Sequence, residues 1–186
     1  MPSSASESIP YIIEFAREIV PKPQRILDVG VGFGKLGFLM REYYEAKEFG
    51  RFKKNDWKID LVGIEIFKPY ISELQQIIYS QIVIGNVFEK LEKLGKFDLV
   101  LLGDILEHFN KEDGHKLLNQ LLKNSEYILI ATPNGFLKHN AMGKNKFEAH
   151  KSGWKLKDFR PYTVVKSAVV PRIRKDEEVL VVMIKK

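Results

Sequence analysis

The chain switches repeatedly between two spacings of apolar residues, and the switches mark its elements. Residues 8–19, "SIPYIIEFAREI", carry Ile9, Ile12, Ile13, Ala16 and Ile19 at helical spacing. Pro21 and Pro23 stop that helix. "RILDV" (25–29) then reads as a buried strand. Residues 34–49 return to helical spacing, with Leu36, Leu39, Met40 and Tyr43 on one face. "KIDLVGIE" (58–65) is a second strand, and "PYISELQQIIY" (69–79) a helix with Pro69 near its first turn. "QIVIGN" (81–86) is a short strand, and "VFEKLEKLG" (87–95) a short helix closed by Gly95. "FDLVLLG" (97–103) is apolar on both faces, as a central strand must be. A helix over 111–124 and a buried strand, "EYILIAT" (126–132), follow.

Strand and helix alternate five times, which predicts an α/β domain with a parallel sheet and helices on both faces. The end of the chain breaks the rhythm. "YTVVKSAVV" and "EEVLVVMIKK" are β-branched runs separated only by "PRIRKD", so they are expected to pair as an antiparallel hairpin. That makes seven strands in one domain over 1–186, with residues 1–7 expected to fray. Residues 133–160 are polar, Lys-rich and without periodicity. That length without an element points to a functional segment, a lid on the substrate side of the cleft.

Composition adds limits. The 186 residues are 45% hydrophobic and 29% charged, an ordinary globular balance. No apolar run reaches the ~18 residues of a membrane span. The N-terminus lacks the basic region and small-residue cleavage site of a secretory leader. Cysteine is absent, which excludes thiolate nucleophiles, thiolate zinc sites and disulfides and suits a cytoplasmic setting. The net charge of +6 favours an anionic partner without identifying one.

The chemistry concentrates in "ILDVGVGFGKLG" (26–37). Glycines at a strand end let backbone N–H groups approach a ligand closely. Gly32, Gly34 and Gly37 satisfy the dinucleotide pattern G-x-G-x-x-G, so an NAD(P)-binding oxidoreductase is one alternative. Two features oppose it. Asp28 would repel a pyrophosphate but suits an amine or sulfonium. The next strand-end acid, Glu65, comes more than 30 residues after Gly32 instead of about 20.

These residues resemble those of the class I S-adenosylmethionine-dependent methyltransferases, and the likeness runs along nearly the whole chain. "LDVGVGFGKLG" is similar to the family's first motif through Asp28, Gly30, Gly32 and Gly34. "LVGIEIF" resembles the second, with Glu65 where an acid holds both ribose hydroxyls and Ile66 beside it. "IGNVFE" resembles the third, with Asn86 in place of the usual acid near adenine and Val87 next to it. "FDLVLLGDILEHF" resembles the fourth, where Gly103 and Asp104 pass close to the donor and His108 lies near its methyl group. One departure is the long, basic connection "EYYEAKEFGRFKKNDWKIDL" between the first-motif helix and the acid strand. The resemblance implies a Rossmann-like sheet, S-adenosylmethionine as cofactor, and methyl transfer to a small-molecule O or N acceptor. A non-catalytic nucleotide-binding module of the same fold is a further alternative.

For the acceptor side, His108, Asp104 and His150 are the candidate catalytic residues, with Asn134 shaping the cleft. A histidine near neutral pKa can take a proton from a hydroxyl acceptor. The donor site itself calls for no metal. A narrower resemblance, to small-RNA 3′-terminal ribose methyltransferases, implies one: Asp104, Glu107, His108 and His150 would together hold a divalent ion. RNA is therefore an alternative partner, and Lys138, Lys144, Lys146, Lys151, Lys155 and Lys157 with Phe136, Phe147 and Trp154 form a basic, aromatic segment suited to it. Trp154 itself is expected to pack as an anchor in the core.

Overall fold

A computed structural model describes residues 5–141, 145–173 and 176–186. The strands are β1 (Arg25–Val29), β2 (Asp60–Glu65), β3 (Gln81–Ile84), β4 (Phe97–Gly103), β5 (Ser125–Pro133), β6 (Thr163–Pro171) and β7 (Glu178–Lys185). They form one sheet in the order β3-β2-β1-β4-β5-β7-β6. The first five run parallel, while β7 pairs antiparallel with both β5 and β6. The hairpin therefore forms, and its second strand lies inside the sheet. The burial explains the placement: β7 presents six successive buried residues, Val179 to Ile184, whereas most of β6 stays exposed.

Alternation along each inner strand sends side chains to two cores. Ile26, Leu61, Leu99, Leu101 and Leu129 face α1 (Ile9–Arg17) and α2 (Lys35–Met40). Leu27, Val62, Val100, Leu102 and Ile128 face α5 (Lys111–Asn124), introduced after α3 (Glu73–Ile78) and α4 (Val87–Lys90). This period-2 division is why the sheet needs helices on both sides.

Several boundaries differ from the sequence expectation, each for a local reason. The helix expected over 69–79 is split into a 3-10 turn, Lys68–Tyr70, and α3. Ser72 restarts it as N-cap, its N–H and hydroxyl both donating to the Gln75 side chain. The helix expected over 34–49 widens after Met40 into a π-helical stretch, Arg41–Glu48. There Glu45 is buried and accepts from the backbone of Lys58 and Ile59 and from Arg41 and Arg51. One carboxylate thus ties down the long basic connection. Residues 5–7, expected to fray, instead pack: Ala5 is buried, Ser6–Ser8 form a 3-10 turn, and Ala5 N–H donates to Asp104 at 3.3 Å. Residues 1–4 lie outside the described residues. Among the described residues no helix is long and apolar enough to cross a membrane.

Candidate functional site

Strand order reverses at β1, which has β2 on one side and β4 on the other. Chain connections leave the C-terminal ends of these strands in opposite directions there, and a crevice opens. A cleft of about 810 Å³ occupies this position. Asp28, Gly30, Gly32, Glu65, Ile66, Asn86, Val87, Gly103, Asp104, His108 and His150 all line it. Residues scattered over more than 120 positions of sequence are therefore brought to one cavity. Gly34 is not among the lining residues; it is the N-cap of α2, with φ of +87°. Gly30 and Gly32 also have positive φ, so the loop follows a path that side chains oppose.

The glycine loop and the strand-end acid are joined directly. Glu65 Oε2 accepts the Gly32 N–H at 2.9 Å, and Oε1 accepts the Phe67 N–H at 2.8 Å. A carboxylate has about four acceptor positions, so each oxygen keeps one for a ligand hydroxyl. Burial pushes the Glu65 carboxyl up, against the pull of those two N–H groups. Asp28 is deeper. It accepts a short hydrogen bond from the Tyr79 hydroxyl, and burial raises it to about 7. Asn86 caps α4, accepting from Phe88 N–H at 3.1 Å. That bond uses one lone pair of its amide oxygen and leaves its NH₂ group as a donor.

The other wall holds an acid-imidazole cluster. Asp104 has a φ of +52°, unusual for a residue with a side chain, and its N–H is held by Ala131 O at 2.8 Å. Glu107 is buried; Oε2 accepts from Thr132 Oγ1 at 2.9 Å, while Oε1 has no donor among the described residues. Burial, then the neighbouring Asp104 carboxylate, hold Glu107 well above the usual carboxylate range. A buried carboxyl beside a half-buried one resists ionising together with it. One ring nitrogen each of His108 and His150 and a Glu107 oxygen lie within 4.8 Å of one another. The Nδ1 atoms point to backbone carbonyls, Ala149 O at 3.4 Å for His108 and Leu137 O at 2.6 Å for His150. A carbonyl only accepts, so Nδ1 carries the proton and Nε2 keeps its lone pair. Burial lowers both imidazoles, which favours this neutral form. Such a set could hold a divalent ion with three protein ligands, or work without one.

Sequence reading missed several residues of this neighbourhood. Thr132, His139, Tyr70, Gln75 and Tyr79 carried no motif. His139 stacks on His150 with ring centroids 5.1 Å apart. Tyr70 meets Asn145 and Glu148 of the 133–160 segment. Only proximity in space identifies them, although the spacing of Ser72 and Gln75 is a readable capping box. The segment itself is anchored: Gly135 N–H donates to Trp154 O at 2.7 Å, and Lys151 and Ser152 N–H groups donate to Glu107 O. Asn134 donates its amide to Glu178 at the exposed edge of the segment. Trp154 is fully buried against Phe159 and His115. Lys144 lies outside the described residues.

No protein-family model matches the chain, and no curated protein matches it in sequence. Solved structures do match. The Burkholderia thailandensis 1,6-didemethyltoxoflavin-N1-methyltransferase, with 1,6-didemethyltoxoflavin and S-adenosylhomocysteine bound, superposes with a TM-score of 0.66 at 17% identity. That match covers 97% of this chain and 79% of the other. The N-terminal domain of EvdMO1 with S-adenosylhomocysteine bound gives 0.65 at 13%, covering 98% and 82%. The methyltransferase domain of bacterial CtHen1-CN gives 0.62 at 13%, covering 97% and 98%. At these identities the likeness establishes the fold: the chain has the class I S-adenosylmethionine-dependent methyltransferase fold, a Rossmann-like, mostly parallel sheet with an antiparallel C-terminal hairpin.

Proposed function

We propose that the chain is an S-adenosylmethionine-dependent methyltransferase acting on a small-molecule oxygen or nitrogen acceptor, as a single catalytic domain in the cytoplasm. The observation that carries this reading is the shared cleft, where a glycine loop and a buried strand-end carboxylate face an acid-imidazole cluster. The donor, when bound, supplies a methyl group already activated on a sulfonium. Glu65 would accept two hydrogen bonds from the ribose diol, and the Asn86 NH₂ group would donate to the adenine edge, with Ile66 and Val87 beside the ring. Gly30, Gly32 and Gly103 let backbone come close, Gly34 sets the start of α2, and Asp28 attracts the ammonium group.

Across the cleft an acceptor's lone pair would take that methyl group, with sulfur keeping the electron pair of the broken sulfur–carbon bond. His108 takes the proton of a hydroxyl acceptor at Nε2, while Asp104 and His150 orient it. Much of the rate comes from alignment, and the base adds roughly 10²–10⁴-fold. Incubating the protein with donor labelled in the methyl group and pools of metabolites tests this. A labelled product lost in His108→Ala, with S-adenosylhomocysteine affinity kept, is the expected result. No binding of S-adenosylhomocysteine at millimolar concentration would refute the reading.

The Glu107, His108 and His150 cluster favours a second reading, metal-assisted transfer to a ribose hydroxyl of RNA. Glu107 Oε1 without a donor is the feature a cation would satisfy. Those three residues would hold the ion, which would acidify the hydroxyl. Under this reading chelation abolishes transfer to RNA and Mn²⁺ or Mg²⁺ restores it. Full turnover after chelation leaves the metal-free reading.

A further inference from the structure

We propose that Tyr79 is a positioning residue of the donor site, whose hydroxyl holds the Asp28 side chain and whose ring props the glycine loop, so that it governs binding of the donor's amino-acid end. The inference rests on the donor reading above. Tyr79 follows α3 and is buried. Its hydroxyl donates to Asp28 Oδ2. Its ring is wedged under the loop: a Cβ at Gly37 would lie 2.4 Å from the ring and hydroxyl, one at Gly63 3.1 Å away, and one at Gly34 3.6 Å away. Gly37, the third glycine of the apparent dinucleotide pattern, is thus required by a tyrosine and not by a pyrophosphate. The same helix supports the loop at a second point, where Gln75 donates to Gly32 O at 2.7 Å.

The charge around Asp28 gives this arrangement a consequence. The groups that face it are the Tyr79 hydroxyl, the Gly37 N–H from α2 and the Glu65 carboxylate from β2. Arg41 interacts with Tyr79 through its charge only. Among the described residues, none of the groups that face Asp28 is a cation. Burial therefore dominates, and the carboxyl titrates at about 7, with the Tyr79 bond pulling downward. Ionised Asp28 attracts an ammonium group, and protonated Asp28 does not. Donor affinity should then rise with pH through this window, and loss of the Tyr79 hydroxyl should displace the rise upward.

The test is calorimetric titration of the whole chain with S-adenosylhomocysteine between about pH 5.5 and about 8.5, for wild type, Tyr79→Phe and Asp28→Asn. Wild-type affinity should fall about tenfold for each unit below ~7. Tyr79→Phe keeps the ring, and its curve should move to higher pH, with binding several-fold weaker at neutrality. Asp28→Asn should flatten the curve. A ligand without the amino-acid end, 5′-deoxy-5′-methylthioadenosine, should bind with no such pH dependence to any of the three. A Tyr79→Phe curve that coincides with wild type overturns the proposal. Should that variant not fold, a flat wild-type curve, or one retained in Asp28→Asn, overturns it equally. Failure of wild type to bind S-adenosylhomocysteine at every pH instead overturns the donor reading itself.

Discussion

Two carboxylates three dozen residues apart do different work because their surroundings differ. Glu65 is met by two backbone N–H groups and keeps lone pairs for a ligand, so it is built to accept. Removing it in Glu65→Ala should weaken S-adenosylhomocysteine binding by more than about 1 kcal/mol, the scale of a lost charged hydrogen-bond pair. Unchanged affinity by calorimetry would take Glu65 out of the site. Asp28 instead carries a burden on folding. Its carboxyl titrates at about 7 when buried and near 3.8 in an open chain. Between those values the native state holds a proton that the unfolded chain has released. Stability therefore declines as pH rises from about 4 to about 7 and stays lower above. Asp28→Asn removes that decline. In the ligand-free protein it should be more stable than wild type at pH 8, by on the order of a few kcal/mol, and equal to it near pH 4. Denaturant melts at the two pH values measure this directly.

At the scale of elements, the 133–160 segment is where pattern and packing part company. It has no period of its own, yet Trp154 pins it into the core beside α5. The packing leaves α5 no room at Gly114, where a Cβ would sit 2.4 Å from Trp154 Cζ2. Two effects oppose each other in Gly114→Ala. Helix propensity favours alanine by about 1 kcal/mol. Overpacking against a rigid indole costs about 1–3 kcal/mol, and Trp154 is further held by a 3.0 Å bond from Nε1 to Ser152 Oγ and by Lys111 over its ring. Overpacking should win, and the denaturation midpoint should fall. A rise would mean that the indole yields and that the segment is held more loosely than its burial implies.

For the molecule as a whole, the cleft is a single cavity bounded by both halves of the sheet, so a ligand filling it should stabilise the entire domain. At a hundred times its dissociation constant, S-adenosylhomocysteine should add about 2.7 kcal/mol. For a chain of this size that is a rise of roughly 5–10 °C in melting temperature. NADH should produce none, since Asp28 opposes a pyrophosphate. A thermal scan with each compound separates the two cofactors, and a shift with NADH alone would revive the dinucleotide alternative.

Local periodicity and residue chemistry carried much of this protein's description. The alternation of apolar runs specified seven strands, their helices and the terminal hairpin, because burial on one face or two imposes a period that any reader can count. Asp28, Gly32 and Glu65 stood out as candidates because close backbone approach and the binding of a diol admit few residue types. The tertiary structure alone decided the rest. It put β7 between β5 and β6, since an edge or interior position depends on which strand is buried on both faces. It fixed the spacing of Glu107, His108 and the distant His150, a set the sequence offered only through a resemblance. It also set Tyr79 beneath the glycines and Trp154 against Gly114. Those contacts join residues with no fixed spacing, through the shapes of two packed surfaces, and a linear pattern holds no record of such shapes.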